Sequence, residues 1–142
     1  MGTRYFALAA GIVYALVGVV GLLGILLAPY AGPPLAVTAQ QGLLMGLFPV
    51  NVLHNIVHLA VGLAGLAAYR SYNGSRGFAR GLAIFYGLLT ILGLLPFTNT
   101  TFGLIPIYSH DVWLHALSAA VAAYFGFAAR ENAEYVSASS RR

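Results

Sequence analysis

Apolar residues run along this chain in four long blocks, separated by short stretches rich in proline, glycine or polar side chains. The blocks predict helices over residues 5–28, 51–69, 79–96 and 110–129. Each can approach the roughly 30 Å of a bilayer's hydrocarbon core at about 1.5 Å per residue. The third is the shortest in its apolar core, 81–95; it extends back through Phe78 and Ala79, and Pro96 marks its end. The first block, of about 23 residues, is too long for the roughly 7–15 of a secretory signal and matches a spanning helix. The fold class that follows is all-α: an integral membrane four-helix bundle forming a single domain over 1–142.

The connections differ in character. A long first outer loop carries Pro29, Pro33, Pro34 and Pro49, and within it residues 38–48 predict a short interfacial helix capped by Thr38. In the second outer loop, Phe102, Ile105, Ile107 and Tyr108 predict a lid packed on the bundle. Asn99, Thr100 and Thr101 match the three-residue glycosylation sequon, a pattern of little specificity. Residues 131–142 read as a polar, solvated tail.

Composition agrees with the pattern. Of 142 residues, 60% are hydrophobic and only 7% charged, against roughly 25% in soluble domains. The net charge of +4 does not point to nucleic acid, because every basic residue is an arginine in one connection, at a helix end or near a terminus. Arg4 precedes the first helix, Arg70, Arg76 and Arg80 lie around the connection between the second and third, and Arg130, Arg141 and Arg142 follow the fourth. The other two loops have no Arg or Lys, so the positive-inside rule predicts both termini in the cytoplasm (N-in, C-in). With no cysteine there is no disulfide framework, thiolate site or cysteine nucleophile.

The polar residues inside the apolar blocks are few and grouped. On the second helix, Asn51, His54, Asn55 and His58 fall within about 100° of arc, and Gly62 and Gly65 continue that face, which predicts close approach inside the bundle. On the fourth, Asp111, His115, Ser118 and Ala122 make a similar stripe, while Trp113 points away as an interfacial anchor. Both helices run inward from the outer surface, so the two stripes meet at one depth. His54, His58, Asp111 and His115 are ligands that Zn or another transition metal accepts, and i, i+4 spacing lets adjacent turns converge on one ion. Asn51, Asn55, Thr90, His110 and Ser118 are candidates for the surrounding shell.

A plainer reading uses the same residues. Ser109 is then an N-cap, Asp111 a charge favoured at a helix start, and the histidines neutral groups bonded to Asn or water. Taken singly, each residue suits that reading; together, on two facing stripes, they bring a bound ion, haem or pigment almost level with a protein or water hydrogen-bond cluster, because ionisable groups within membrane helices are costly. Tyr14 and Tyr86 read as packing residues. Glycine-rich phosphate loops, HExxH helices and lysines are all absent from the sequence.

The stretch from Asn51 through His54, Asn55 and His58 to Gly65, with the later segment from His110 and Asp111 to His115, resembles a bacterial family of four-helix membrane proteins known only as a domain of unknown function. The resemblance spans nearly the whole chain. It implies the fold and no reaction. Abundant Ala, Gly, Leu and Arg without Lys also fits a bacterial gene, and the expected location is the bacterial cytoplasmic membrane, multi-pass.

Three functions fit. One is a binding protein holding a metal ion near the outer face. A second is a haem- or chlorophyll-ligating subunit. The third is an accessory subunit of a larger membrane complex or a homo-oligomer, to which Gly11, Gly18, Gly21 and Gly24 on the first helix would contribute packing. A metal-dependent intramembrane hydrolase is more distant, since no separate general base stands out. The residues favour binding over catalysis.

Overall fold

The computed structural model describes residues 1–131. In chain order these form α1 (Gly2–Leu22), β1 (Leu27–Ala28), β2 (Gly42–Leu44), β3 (Phe48–Val50), α2 (Val52–Ala68), α3 (Tyr72–Leu94) and α4 (His110–Ala123), which continues into a π-helical turn at Tyr124–Ala128. Three helices, Gly2–Leu22, Tyr72–Leu94 and His110–Ala128, are long and apolar enough to cross a membrane, and α2 is a shorter apolar helix of 17 residues. Leu16, Ile84, Leu88 and Leu117 are each more than half exposed on the outside of the bundle, a surface suited to lipid and not to water. These are the features of a membrane protein.

Several boundaries differ from the sequence reading. The interfacial helix expected over 38–48 is a hairpin instead: β2 pairs antiparallel with β3 through Leu44↔Phe48 and Gly42↔Val50, and β1 adds a third strand through Leu27↔Leu44. Met45 and Gly46 take φ of +54° and +73°, a left-handed pair that turns the chain tightly and that a helix cannot contain. Helix α1 ends six residues before the expected 28, because Gly24 and Leu26 also have positive φ.

Helix α3, expected to be the shortest, is the longest at 23 residues. It starts at Tyr72 because Ser71 caps it, its hydroxyl accepting from the Gly74 N–H at 3.0 Å. Arg76 therefore sits on helix and not in a loop, and it and Arg80 both donate through Nε to the Gly126 carbonyl, at 3.1 and 2.9 Å. The π turn supplies that acceptor, since its widened coil leaves carbonyls outside the ordinary ladder. Glu131, expected in a loose tail, accepts from the Thr3 N–H at 2.7 Å and pairs with the terminal ammonium of Met1. The rest of that tail, with Arg141 and Arg142, lies outside the described residues.

Helix α1 packs most closely on α2, and α3 on α4. The glycines decide the first pairing: a Cβ at Gly18 would stand 2.6 Å from the Leu59 backbone nitrogen, and one at Gly62 would collide with the backbone of Ala15. Gly11 and Gly65 oppose each other in the same seam, and Gly21 lies under the Asn55 side chain. The small residues of α2 thus bring it against α1, not against α4 as expected. They also occupy Gly11, Gly18 and Gly21 within the chain itself. Helices α2 and α4 hardly meet backbone to backbone, and what spans the gap between them is side chains.

The loop between α3 and α4 packs down at Pro106 and Ile107, which are buried, while Phe102 is 82% exposed. Only part of the expected lid closes the bundle.

Candidate functional site

The site sits where α2 and α4 begin, under the two loops at the end of the bundle opposite Arg4, Arg76 and Arg80. Asn51 starts α2. Its Oδ1 accepts the His54 N–H at 3.0 Å, a standard N-cap bond, while its Nδ2 donates to the Val37 carbonyl at 3.0 Å and the Leu104 carbonyl at 2.7 Å. One side chain therefore fixes the helix start and ties both loops over it. Ser109 holds the equivalent place on α4 but makes no capping bond: its φ of +62° turns the side chain away, to the exposed His110 ring at 3.2 Å. Backbone strain of that kind costs on the order of 1–3 kcal/mol and accumulates near functional sites.

Beneath these caps His54, His58 and His115 are all buried, and one ring nitrogen from each lies within 4.8 Å of the others. The His54 and His58 rings stand edge to face with centroids 4.5 Å apart, and those of His54 and His115 are 6.2 Å apart. His54 Nδ1 lies 3.1 Å from the Pro49 carbonyl. A carbonyl only accepts, so Nδ1 carries the proton and Nε2 presents its lone pair. That is how ligating histidines are commonly oriented. Facing Nε2 at 3.7 Å is Asp111 Oδ2, too long for a hydrogen bond, and that oxygen has no other partner among the described residues. Neither nitrogen of His58 or His115 has one either.

The geometry is close to what an ion would need. Two donors at about 2.0–2.1 Å on a tetrahedral centre stand roughly 3.3 Å apart. The Asp111–His54 separation of 3.7 Å is near that figure, and the three nitrogens, within 4.8 Å, would have to draw in. Asp111 stands beside His54 only; it is not one of the mutually close group of three.

The candidates for the surrounding shell divide. Asn51 orients His54 and closes the site. Asn55 is buried but faces α1 over Gly21, with both side-chain polar atoms unpaired among the described residues. Thr90 donates to the Tyr86 carbonyl at 2.7 Å, within its own helix. His110 is exposed, edge-on to Phe48. Ser118 is engaged with the Tyr14 hydroxyl at 2.7 Å, a bond that joins α4 to α1.

Two residues read from sequence as packing belong to the wall of the site. Tyr86 is tilted over the His115 ring at 4.9 Å and stacks on Tyr14 at 5.3 Å; Tyr14 in turn lies 5.7 Å from His58. Helical spacing from any histidine could not have revealed them, since they come from α1 and α3. Their burial depth relative to the clustered residues was the only available signal. In the second loop, burial holds the Tyr108 phenol above its ordinary titration range.

No curated protein and no solved structure matches this chain. A family model does, over residues 4–128, which takes in every helix and all of the clustered histidines. The chain belongs to the DUF4383 family, a domain of unknown function.

Proposed function

We propose that this protein is a small membrane-embedded binding protein in which His54, His58 and His115, with Asp111 alongside, hold a divalent transition-metal ion, zinc above others. The absence of basic residues from the two loops over the site supports placing that end on the outer face of a bacterial cytoplasmic membrane. The observation that carries the reading is the cluster of three buried imidazoles, of which His58 and His115 have no partner for either ring nitrogen among the described residues. A buried polar group left unpaired costs about 1–3 kcal/mol, and several in one place call for a common ligand.

The ligand types suit zinc, which takes neutral imidazoles and a carboxylate and has no geometric demand beyond four donors. Asp111 would also offset part of the ion's charge at a depth where an uncompensated cation is expensive. Haem would need a slot between a histidine of α2 and His115 of α4, and packing favours an ion instead, since His54 is in edge-to-face contact with His58 at 4.5 Å and His115 is covered by Tyr86 at 4.9 Å. Binding is favoured over hydrolysis because Asp111 and Glu131 are the acidic side chains among the described residues, and Glu131 lies at the opposite end. With Asp111 engaged beside the ion, no carboxylate is left as a general base.

Elemental analysis of detergent-purified protein is the test. One equivalent of zinc per chain is expected, or uptake of one equivalent on titration after chelation. A protein that carries no stoichiometric metal and takes up none would remove this function.

A further inference from the structure

Helices α1 and α4 hardly meet, and the space between them is a cavity of about 460 Å³, within the roughly 300–1,000 Å³ of small-molecule sites. Its side walls are the lipid-facing Val13 of α1 and Leu117 and Val121 of α4, so it opens sideways to the bilayer. The β2–β3 hairpin roofs it with Phe48. Its inner wall is different: there lie Tyr14 and Ser118, bonded to each other, and His58 and Asp111, which are 4% and 1% exposed and have unpaired polar atoms.

We infer that this groove is a binding site for an isoprenoid quinone or its quinol, entered laterally from the membrane. Three features select that class. The walls are apolar and continuous with the lipid surface, which suits a prenyl chain. The polar wall runs from Asp111 at the start of α4 down to His58, which is six residues into α2 and about 9 Å below its start. A phospholipid headgroup does not reach that depth, and Arg4, Arg76 and Arg80, which could pair with a phosphate, are at the far end of the bundle. His58 has two ring nitrogens without a partner among the described residues, so a bare hydrocarbon chain would leave one unpaired even where an ion takes the other, whereas an oxygen of a neutral head can accept from that N–H. Tyr14 and Phe48 give the groove flat faces on which a ring head can stack.

The site needs no metal ion, so it is tested on chelator-treated protein in phosphatidylcholine nanodiscs, where failure of the metal reading has no bearing on the result. An azido-ubiquinone photoprobe is expected to label the segments 6–17 and 111–121, and excess decylubiquinone to suppress that labelling. V13W, which places an indole in the mouth at an exposed position, should abolish the suppressible labelling, while L63W on the lipid face of α2 should leave it unchanged. H58L, with H58Q as the gentler variant, should weaken competition about five- to tenfold, the effect of one lost hydrogen bond to a buried polar group. Labelling that decylubiquinone does not suppress, or that V13W leaves intact, overturns the inference. So does labelling of the same segments by an acyl-chain photoprobe that decylubiquinone cannot displace, which would make the groove a seat for ordinary lipid tails.

Discussion

If His58 and His115 share one ion, then their removal cannot be additive, and the size of the departure can be worked out in advance. With free zinc at about 100 times Kd, an ion bound only by the folded protein adds ~2.7 kcal/mol to stability. A variant lacking one imidazole, with affinity lowered about 100-fold, retains only ~0.4 kcal/mol of that, so each of His58→Ala and His115→Ala loses ~2.3 kcal/mol of zinc-dependent stability. Independent losses would total ~4.6 kcal/mol, more than the ~2.7 available, so the double variant must fall short of additivity by about 2 kcal/mol. Neither ring has a hydrogen-bond partner among the described residues, so in chelator only packing is lost. Coupling there should drop to about 0.6 kcal/mol or less, the usual scale for polar contacts between membrane helices. The assay is reversible unfolding in mixed micelles of the wild type, both single variants and the double, each with zinc and with chelator. Strict additivity in both conditions, or a wild type whose stability ignores zinc, would refute the shared site.

Three further outcomes follow from the structure. Gly18→Leu should destabilise the fold by at least about 1–3 kcal/mol in the same unfolding assay, because even its Cβ meets the α2 backbone at 2.6 Å; wild-type stability would show that the seam can open freely. Burial raises the Glu131 pKa, but hydrogen bonds from the terminal ammonium and Thr3 outweigh it and leave the carboxyl below its ordinary value of 4.5. Its contribution is therefore full above about pH 4.5 and lost as pH falls through the lowered value, so Glu131→Gln should be less stable at neutral pH and converge with the wild type in acid. A cysteine at exposed Gln40 should react with an impermeant maleimide in intact cells and one at exposed Arg70 should not; the reverse pattern would invert the orientation.

The helices were legible because burial in lipid leaves long uninterrupted apolar blocks, and the α2 and α4 stripes because a 3.6-residue period puts His54 with His58 and Asp111 with His115. The start of α3 was not, because Ser71 to Gly77, with Arg76 among them, look like loop residues until Ser71 is seen to cap the helix and the Gly126 carbonyl to hold Arg76. The hairpin at 42–50 was missed for a local reason: Leu43, Leu44, Met45 and Leu47 suit a helix, and only the positive φ at Met45 and Gly46 shows otherwise. Gly62 and Gly65 were correctly read as marking close approach but assigned to the wrong neighbour. Periodicity says which face is buried and not which helix covers it. Tyr14 and Tyr86 were undervalued for the same reason, since stacking between α1 and α3 is a property of the assembled bundle.

The side chain of Asn51 reaches Val37 and Leu104 at once, the loops it ties are joined again where the Ala36 N–H donates to the Gly103 carbonyl at 2.8 Å, and the Val52 N–H, donating to the Ala39 carbonyl at 2.8 Å, fastens the first loop to the start of α2. Two segments far apart in sequence thus open or close as one cooperative unit, with a single opening free energy below that of the whole fold. Amide exchange at Ala36 and Val52 would then share one protection factor, and the loss of Asn51's amide would lower both together. Exchange between the histidine cluster and the loop side of the bundle would then depend on that one unit, through a residue that reaches the cluster by the backbone of His54.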